Sequence, residues 1–168
     1  MKAAFTKRVF SLLLAPAFLF AFTSKIDKAN YSGEWKLNAS KSELGQFEQF
    51  AVRSIKAEQK DESIAITRIQ PSFNGDDMTS TETLTFDGKE VESTIFENSK
   101  RKATAKWADD GKSLTISYTL LLDFNGQSME IKGTDLWTVS DDGKTLTVLT
   151  KSTSAQGDFS WKAIYDKQ

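Results

Sequence analysis

From Tyr31 to the C-terminus apolar and polar residues alternate with a period of two, and Asp-Gly and Asn-Gly pairs punctuate the alternation. Such alternation marks strands with one buried face, and an Asx-Gly pair between two of them predicts a tight hairpin. The pattern predicts ten strands, over Gly33–Asn38, Val52–Gln59, Ser63–Gln70, Thr79–Phe86, Lys89–Phe96, Arg101–Trp107, Ser113–Phe124, Gln127–Ser140, Thr145–Ser152 and Phe159–Asp166. Asp87-Gly88, Asp110-Gly111, Asn125-Gly126 and Asp142-Gly143 place Gly where a tight hairpin needs positive φ, so each couples a strand to its sequence neighbour. A meander of this kind leaves exposed edges unless it closes, and ten strands suffice for closure. The expected fold is all-β, an up-and-down antiparallel β-barrel of eight to ten strands.

Alternation also assigns faces. Along Ser113–Phe124 the set Leu114, Ile116, Tyr118, Leu120, Leu122 and Phe124 faces inward, against Thr115, Ser117, Thr119, Leu121 and Asp123. Ile64, Ile66, Leu84, Phe86, Val91, Ile95, Met129, Ile131, Trp137, Val139, Leu146, Val148, Phe159, Trp161 and Ala163 join the interior by the same rule. Lys41–Phe50 and Ala155–Asp158 are the main non-strand connections, the first long enough for a helical turn across one barrel end. Gln70–Met78 reads as the longest polar loop, suited to gating a mouth. The strings Trp107–Ile116 and Trp137–Val148 echo each other as strand, acidic Gly turn and strand, which is the hairpin unit itself.

Composition narrows the chemistry. The chain of 168 residues has no Cys and no His, which excludes a Cys/His zinc site, a Cys nucleophile, a Ser-His-Asp triad, an iron–sulfur ligand set and a His-ligated haem. No cofactor is expected. An enzyme on this chain would have to work with carboxylates, Tyr or Lys alone, and the expectation is a protein that is not an enzyme. The net charge of −1, with basic residues scattered, lacks the footprint of a nucleic-acid binder. Asp76-Asp77, Asp109-Asp110 and Asp141-Asp142 lack the alternating oxygen series of a calcium loop and read as hairpin tips, so no metal is expected.

Residues 1–24 stand apart from the strand pattern. Lys2, Lys7 and Arg8 precede the apolar stretch Val9–Phe22, with no acidic residue, which is the layout of a secretory signal peptide. The stretch is short for a permanent span and carries Pro16 at its middle. The expected organisation is a signal peptide over 1–24 and a single barrel domain over 25–168, exported to the periplasm or the medium, with no membrane span after cleavage. A barrel domain of that length holds a core without disulfides.

Gly33-Glu34-Trp35 opens the first strand, in the string Tyr31-Ser-Gly-Glu-Trp-Lys-Leu-Asn-Ala-Ser-Lys-Ser42, and Leu136-Trp-Thr-Val-Ser-Asp-Asp-Gly-Lys-Thr-Leu-Thr147 lies near the other end. These strings resemble small secreted bacterial proteins of the lipocalin-like type. The resemblance implies a calycin-type barrel, in which Gly33 lets the chain enter the barrel bottom closely, Trp35 plugs that end, and a basic residue on the last strand covers the indole. Lipocalins use Arg for this cover; here the nearest candidate is Lys162.

The resemblance also implies an interior for a small hydrophobic ligand. Arg68 shares a face with Ile64 and Ile66, so it either holds a ligand carboxylate inside, as in fatty-acid-binding relatives of this architecture, with Tyr118 its natural partner, or reaches solvent from a strand end. The cost of burying an unpaired charge favours the second. Ile66, Ile116 and Trp137 complete the candidate ligand set with Arg68 and Tyr118. Trp35, Trp137 and Trp161 read as core filling, and Trp107 as core or ligand contact. The competing expectation is a filled barrel, an interaction or structural module of the cell envelope; small residues at Ala65, Ser93, Ala103, Ala105 and Gly133 favour a cavity, and inward turns of Phe86, Phe96, Phe124 and Phe159 favour filling. The sequence names no protein partner.

Overall fold

The computed structural model describes residues 27–72, 75–96, 98–124 and 127–168. The expected signal peptide and the Asn125-Gly126 turn lie outside these residues. Ten strands form one antiparallel sheet: β1 Gly33–Leu37, β2 Ser54–Gln59, β3 Ser63–Pro71, β4 Asp77–Thr85, β5 Val91–Phe96, β6 Ser99–Trp107, β7 Ser113–Phe124, β8 Gln127–Val139, β9 Thr145–Ser154 and β10 Gly157–Lys167. Neighbours in sequence are neighbours in space from β1 to β4 and from β5 to β10, and β10 returns to pair with β1. The sheet thus curls into a nearly closed barrel whose ladder is interrupted only between β4 and β5, which lie side by side. Only the facing edges of β4 and β5 therefore lack a ladder partner.

The Asp110-Gly111 and Asp142-Gly143 hairpins form as expected, whereas Asp87-Gly88 turns the chain between β4 and β5 without a ladder between them. Gly111 and Gly143 sit at φ 69°, a conformation costly for a residue with a Cβ. Asp110 and Asp142 each accept the backbone N–H two residues on, from Lys112 and Lys144, which locks the turn. The Gln70–Met78 loop is shorter than its sequence suggests. β3 runs to Pro71 and β4 starts at Asp77 because these two residues pair across the hairpin, beyond the last β2 partner, where the missing proline N–H removes no ladder bond.

The two barrel ends differ. At the lower end, the lead before β1 crosses the barrel: Ala29 N donates to Gly111 O at 2.9 Å, Gln59 Nε2 donates to Ala29 O at 2.9 Å, and the Tyr31 hydroxyl donates to Trp137 O at 2.8 Å. Tyr31, Trp35, Leu114, Trp137 and Leu146 fill this end and are sealed from solvent. Trp107 packs beside them against Tyr31 and Phe86, with ring centroids 5.6 and 5.3 Å apart. Over the upper end, Lys41–Phe50 supplies the expected helical turn as 3₁₀ segments at Ala39–Lys41 and Gly45–Phe50. Phe47 of the second segment packs on Phe159 and Trp161, at 5.2 and 4.8 Å. No helix among the described residues is long and apolar enough to cross a membrane.

The Gly33-Glu34-Trp35 motif at the lower end packs as the resemblance implies, with one change of partner. Trp35 is fully buried and its indole N–H donates to Tyr31 O at 2.9 Å. The cation over its ring is Lys167, 5.1 Å from the centroid, and not Lys162. Lys162 stands on the outer face of β10, between inward-facing Trp161 and Ala163, and pairs with Glu43 on the segment before the second 3₁₀ turn. Gly33 provides the close approach: at φ 139° it lies under Lys167, whose Cε would be 2.7 Å from an added Cβ.

Candidate functional site

The inner surface changes character about halfway up. Below, Ile64, Ile66, Leu84, Leu114 and Ile116 are fully buried. Above, Leu120, Leu122, Ile131 and Phe159 occupy the same inner face by alternation and register, yet are only half-buried. Solvent therefore reaches the inside of the barrel from the upper end, and the lower half is its dry floor.

Charged residues stand at the boundary. Arg68 on β3, Glu82 on β4, Arg101 on β6 and Asp135 on β8 all take inner-face positions, and each is 87% or more buried at its side chain. Glu82 bridges the arginines: its Oε1 accepts from Arg68 Nη1 at 2.5 Å and its Oε2 from Arg101 Nε at 3.2 Å. Asp135 accepts from the Thr150 hydroxyl at 2.8 Å, and its Oδ2 lies 3.7 Å from Arg101 Nη2. Arg68 Nη2 and Arg101 Nη2 are buried without a hydrogen-bond partner. A buried donor without an acceptor is costly, so these two atoms mark where an acceptor group would be held.

Tyr118 and Gly133 build the platform under Arg101. The two residues face each other across β7 and β8, and a Cβ on Gly133 would meet Tyr118 Cζ and Oη at 2.5 Å and Lys151 O at 2.9 Å. The absent side chain leaves room for the phenol ring, and the Arg101 guanidinium lies over that ring, 4.0 Å from its centroid. Of the small positions that favoured a cavity, Ala103, Ala105 and Ser93 also face inward, whereas Ala65 faces outward opposite Glu58 and Thr83.

The surroundings set the protonation of the cluster. Burial alone would raise the Glu82 carboxyl, but the adjacent Arg68 and Arg101 guanidiniums overcome it and hold that carboxyl below its ordinary value. Asp135 goes the other way: burial raises it, and the more distant arginines and the Thr150 hydrogen bond do not cancel the effect. Burial and the nearby Asp135 keep the Tyr118 phenol protonated far above neutrality.

Among the expected ligand residues, Arg68 is inside the barrel, which corrects the expectation that its guanidinium reaches solvent. Pairing with Glu82 removes the objection to burial. Tyr118 is also inside, but the guanidinium it carries is that of Arg101. Ile66 and Ile116 lie directly across the ladders from Glu82 and Asp135, and Trp137 belongs to the dry floor. Glu82, Arg101 and Asp135 escaped the sequence reading, although each interrupts an apolar period-two series, as in Asp135-Leu136-Trp137-Thr138-Val139. An open concavity of about 690 Å³ runs across β6 to β10, lined by outward residues such as Lys102, Thr119 and Lys132 together with Tyr118, Gly133 and Phe159. It holds none of the buried charges.

No protein-family model matches the chain, and no curated protein matches it in sequence. Among solved structures it is similar to zebrafish ileal bile acid-binding protein, crystallised with cholic acid: 18% identity over 82% of this chain and 98% of that one, TM-score 0.50. The barrel has a calycin-type fold. The fluorescent protein UnaG is also similar, at 14% identity over 82% of this chain and 97% of that one, with a TM-score of 0.48. The likeness to the zebrafish protein extends over nearly the whole of that chain.

Proposed function

We propose that this barrel binds a small amphipathic molecule, with its apolar body in the upper half of the interior and a hydrogen-bond acceptor turned toward Arg68 and Arg101. The observation that carries the reading is the pair of buried guanidinium nitrogens without a hydrogen bond, at the base of an inner surface whose apolar side chains remain accessible. Small-molecule sites combine a mainly apolar wall with a few fixed polar groups, and this interior has both. The zebrafish neighbour, which binds cholic acid, makes such a use of the fold reasonable.

Native mass spectrometry of protein purified from its own source, before and after solvent extraction, tests the reading. A defined extra mass that disappears on extraction is the expected result. A single apo mass, together with no displacement of an environment-sensitive fluorophore by a panel of apolar acids and alcohols, counts against it and favours a barrel that acts through its surface. That second reading draws on Glu82, which already satisfies one nitrogen of each arginine.

The leader pattern supports export as the setting of this activity. N-terminal sequencing of the native protein is expected to begin beyond residue 24; an N-terminus at Met1 would place the protein elsewhere.

A further inference from the structure

Asp135 is a buried carboxylate that ligand capture by the arginines does not require. Its Oδ1 accepts from Thr150, and its Oδ2 lies too far from Arg101 Nη2 for a hydrogen bond. Arg68 from β3, Glu82 from β4, Arg101 from β6, Tyr118 from β7 and Tyr165 from β10 all act on it electrostatically or are acted on by it, and Thr150 from β9 donates to it. Burial keeps both phenols neutral. The charge of the cluster is therefore set by two arginines, Glu82 and the state of Asp135.

With Asp135 ionised the cluster is neutral, and an entering anion would leave an uncompensated negative charge in the interior. With Asp135 protonated the cluster carries one positive charge, which an anion cancels. Unpaired buried charge is strongly disfavoured, so the second arrangement is the one that admits an anion.

We propose that the ligand is an amphipathic carboxylic acid, held as its carboxylate, and that its binding is coupled to uptake of one proton by Asp135, which makes Asp135 the residue that discriminates acids from neutral amphiphiles. The inference rests on the interior-binding reading above. The proton comes from solvent and goes to Oδ2, because Oδ1 is already engaged by Thr150. Oδ2 then ceases to attract Arg101 Nη2, which donates to the ligand carboxylate. Burial supports the step, since it already raises the Asp135 carboxyl in the free barrel.

The test is titration calorimetry of the full chain with dodecanoate and with dodecanol, from pH 6 to pH 9, in two buffers of different ionisation enthalpy. The expected result is dodecanoate affinity that falls by up to about tenfold per pH unit across part of this range, with net uptake approaching one proton per ligand. Dodecanol affinity is expected to be flat. Asp135→Asn keeps the acceptor for Thr150 and is expected to abolish the slope, retaining affinity for dodecanoate at high pH. Dodecanoate binding without pH dependence or proton uptake overturns the proposal, as does a wild-type slope in Asp135→Asn or binding of dodecanol alone. Binding of neither ligand at any pH overturns the interior-binding reading itself. If the variant fails to fold, the ¹³C shift of carboxyl-labelled dodecanoate bound to the wild-type chain decides the matter: an ionised ligand carboxylate together with proton uptake supports the proposal, and a protonated ligand carboxyl overturns it.

Discussion

Glu82→Gln is the most informative single change, because one carboxylate compensates two buried guanidiniums. The Glu82 side chain is 3% exposed, and those of Arg68 and Arg101 are 9% and 10% exposed, so solvent offers little relief when the charge is removed. The carboxamide oxygen can still accept from one arginine. Its NH₂ must then face a donor of the other, where Glu82 now accepts at 2.5 and 3.2 Å. Breaking one side of a buried ion pair costs about 3–5 kcal/mol, a large fraction of the roughly 5–15 kcal/mol that holds a domain together. Guanidinium unfolding followed by tryptophan fluorescence at pH 7 should show that loss, with a fall in Tm on the order of 10 °C. The pH profile carries an independent signature. Because the folded-state pKa of Glu82 is lowered, its contribution is complete above the unfolded carboxyl value and is lost as pH falls through the folded one. Wild-type protein should therefore lose stability on acidification below about pH 4.5 by a component that Glu82→Gln lacks. A loss under about 1 kcal/mol at pH 7, with an unchanged acid profile, would mean that the arginines relax to solvent and would refute the buried network. An uncharged variant, Arg68→Met/Glu82→Leu/Arg101→Met/Asp135→Asn, is expected to recover most of the stability, since well-packed apolar replacements of buried ion pairs are often neutral or better.

Gly133→Ala should cost about 1–3 kcal/mol, read by the same denaturation, because its Cβ collides with the Tyr118 ring and with Lys151 O. Removing the ring in Gly133→Ala/Tyr118→Ala should make the two changes non-additive. Tyr31→Phe should cost about 1 kcal/mol through loss of the hydroxyl bond to Trp137 O, and amide exchange should rise at Ala29 and Gly111, where the lead crosses the floor. Lys162→Ala should stay within about 0.5 kcal/mol of wild type, whereas Lys167→Ala should lose about 0.5–1 kcal/mol with a change in Trp35 fluorescence.

The strand pattern was legible because nearly every strand has one dry face. All ten predicted segments coincide with observed strands, and differences are confined to ends such as Pro71 and Asp77, which are set by cross-strand pairing and not by alternation. Parity alone would have chosen Lys167 over Lys162: Trp161, Ala163, Tyr165 and Lys167 share the inner face, and Lys162 cannot join them. The resemblance led to the wrong lysine because it supplied a residue type and an approximate place, without the face.

The charged boundary was harder to read because its members lie on four strands separated in sequence, and each alone is an implausible interior residue. Arg68 alone requires solvent until Glu82 is set beside it, and Glu82 alone is misplaced among Leu84 and Phe86 until two arginines converge on it. The information was present as polar residues breaking apolar period-two series, at Arg101 among Ala103 and Ala105, at Glu82, and at Asp135. Reading it required the exceptions to be treated jointly, because burial becomes tolerable only for the set.

That set is difficult to explain by stability alone. A barrel of this size could close its middle with aliphatic side chains, as it does below at Ile64, Leu84 and Ile116, at no greater energetic cost than ion pairs. The charges occur instead where the dry floor ends and solvent begins to reach the inner wall, and two of their donors are left over. Stability and binding should therefore separate in the uncharged variant: it should remain folded while losing affinity for carboxylates over alcohols. Unchanged selectivity in a stably folded uncharged barrel would leave the network a packing solution and return the search for function to the outer surface.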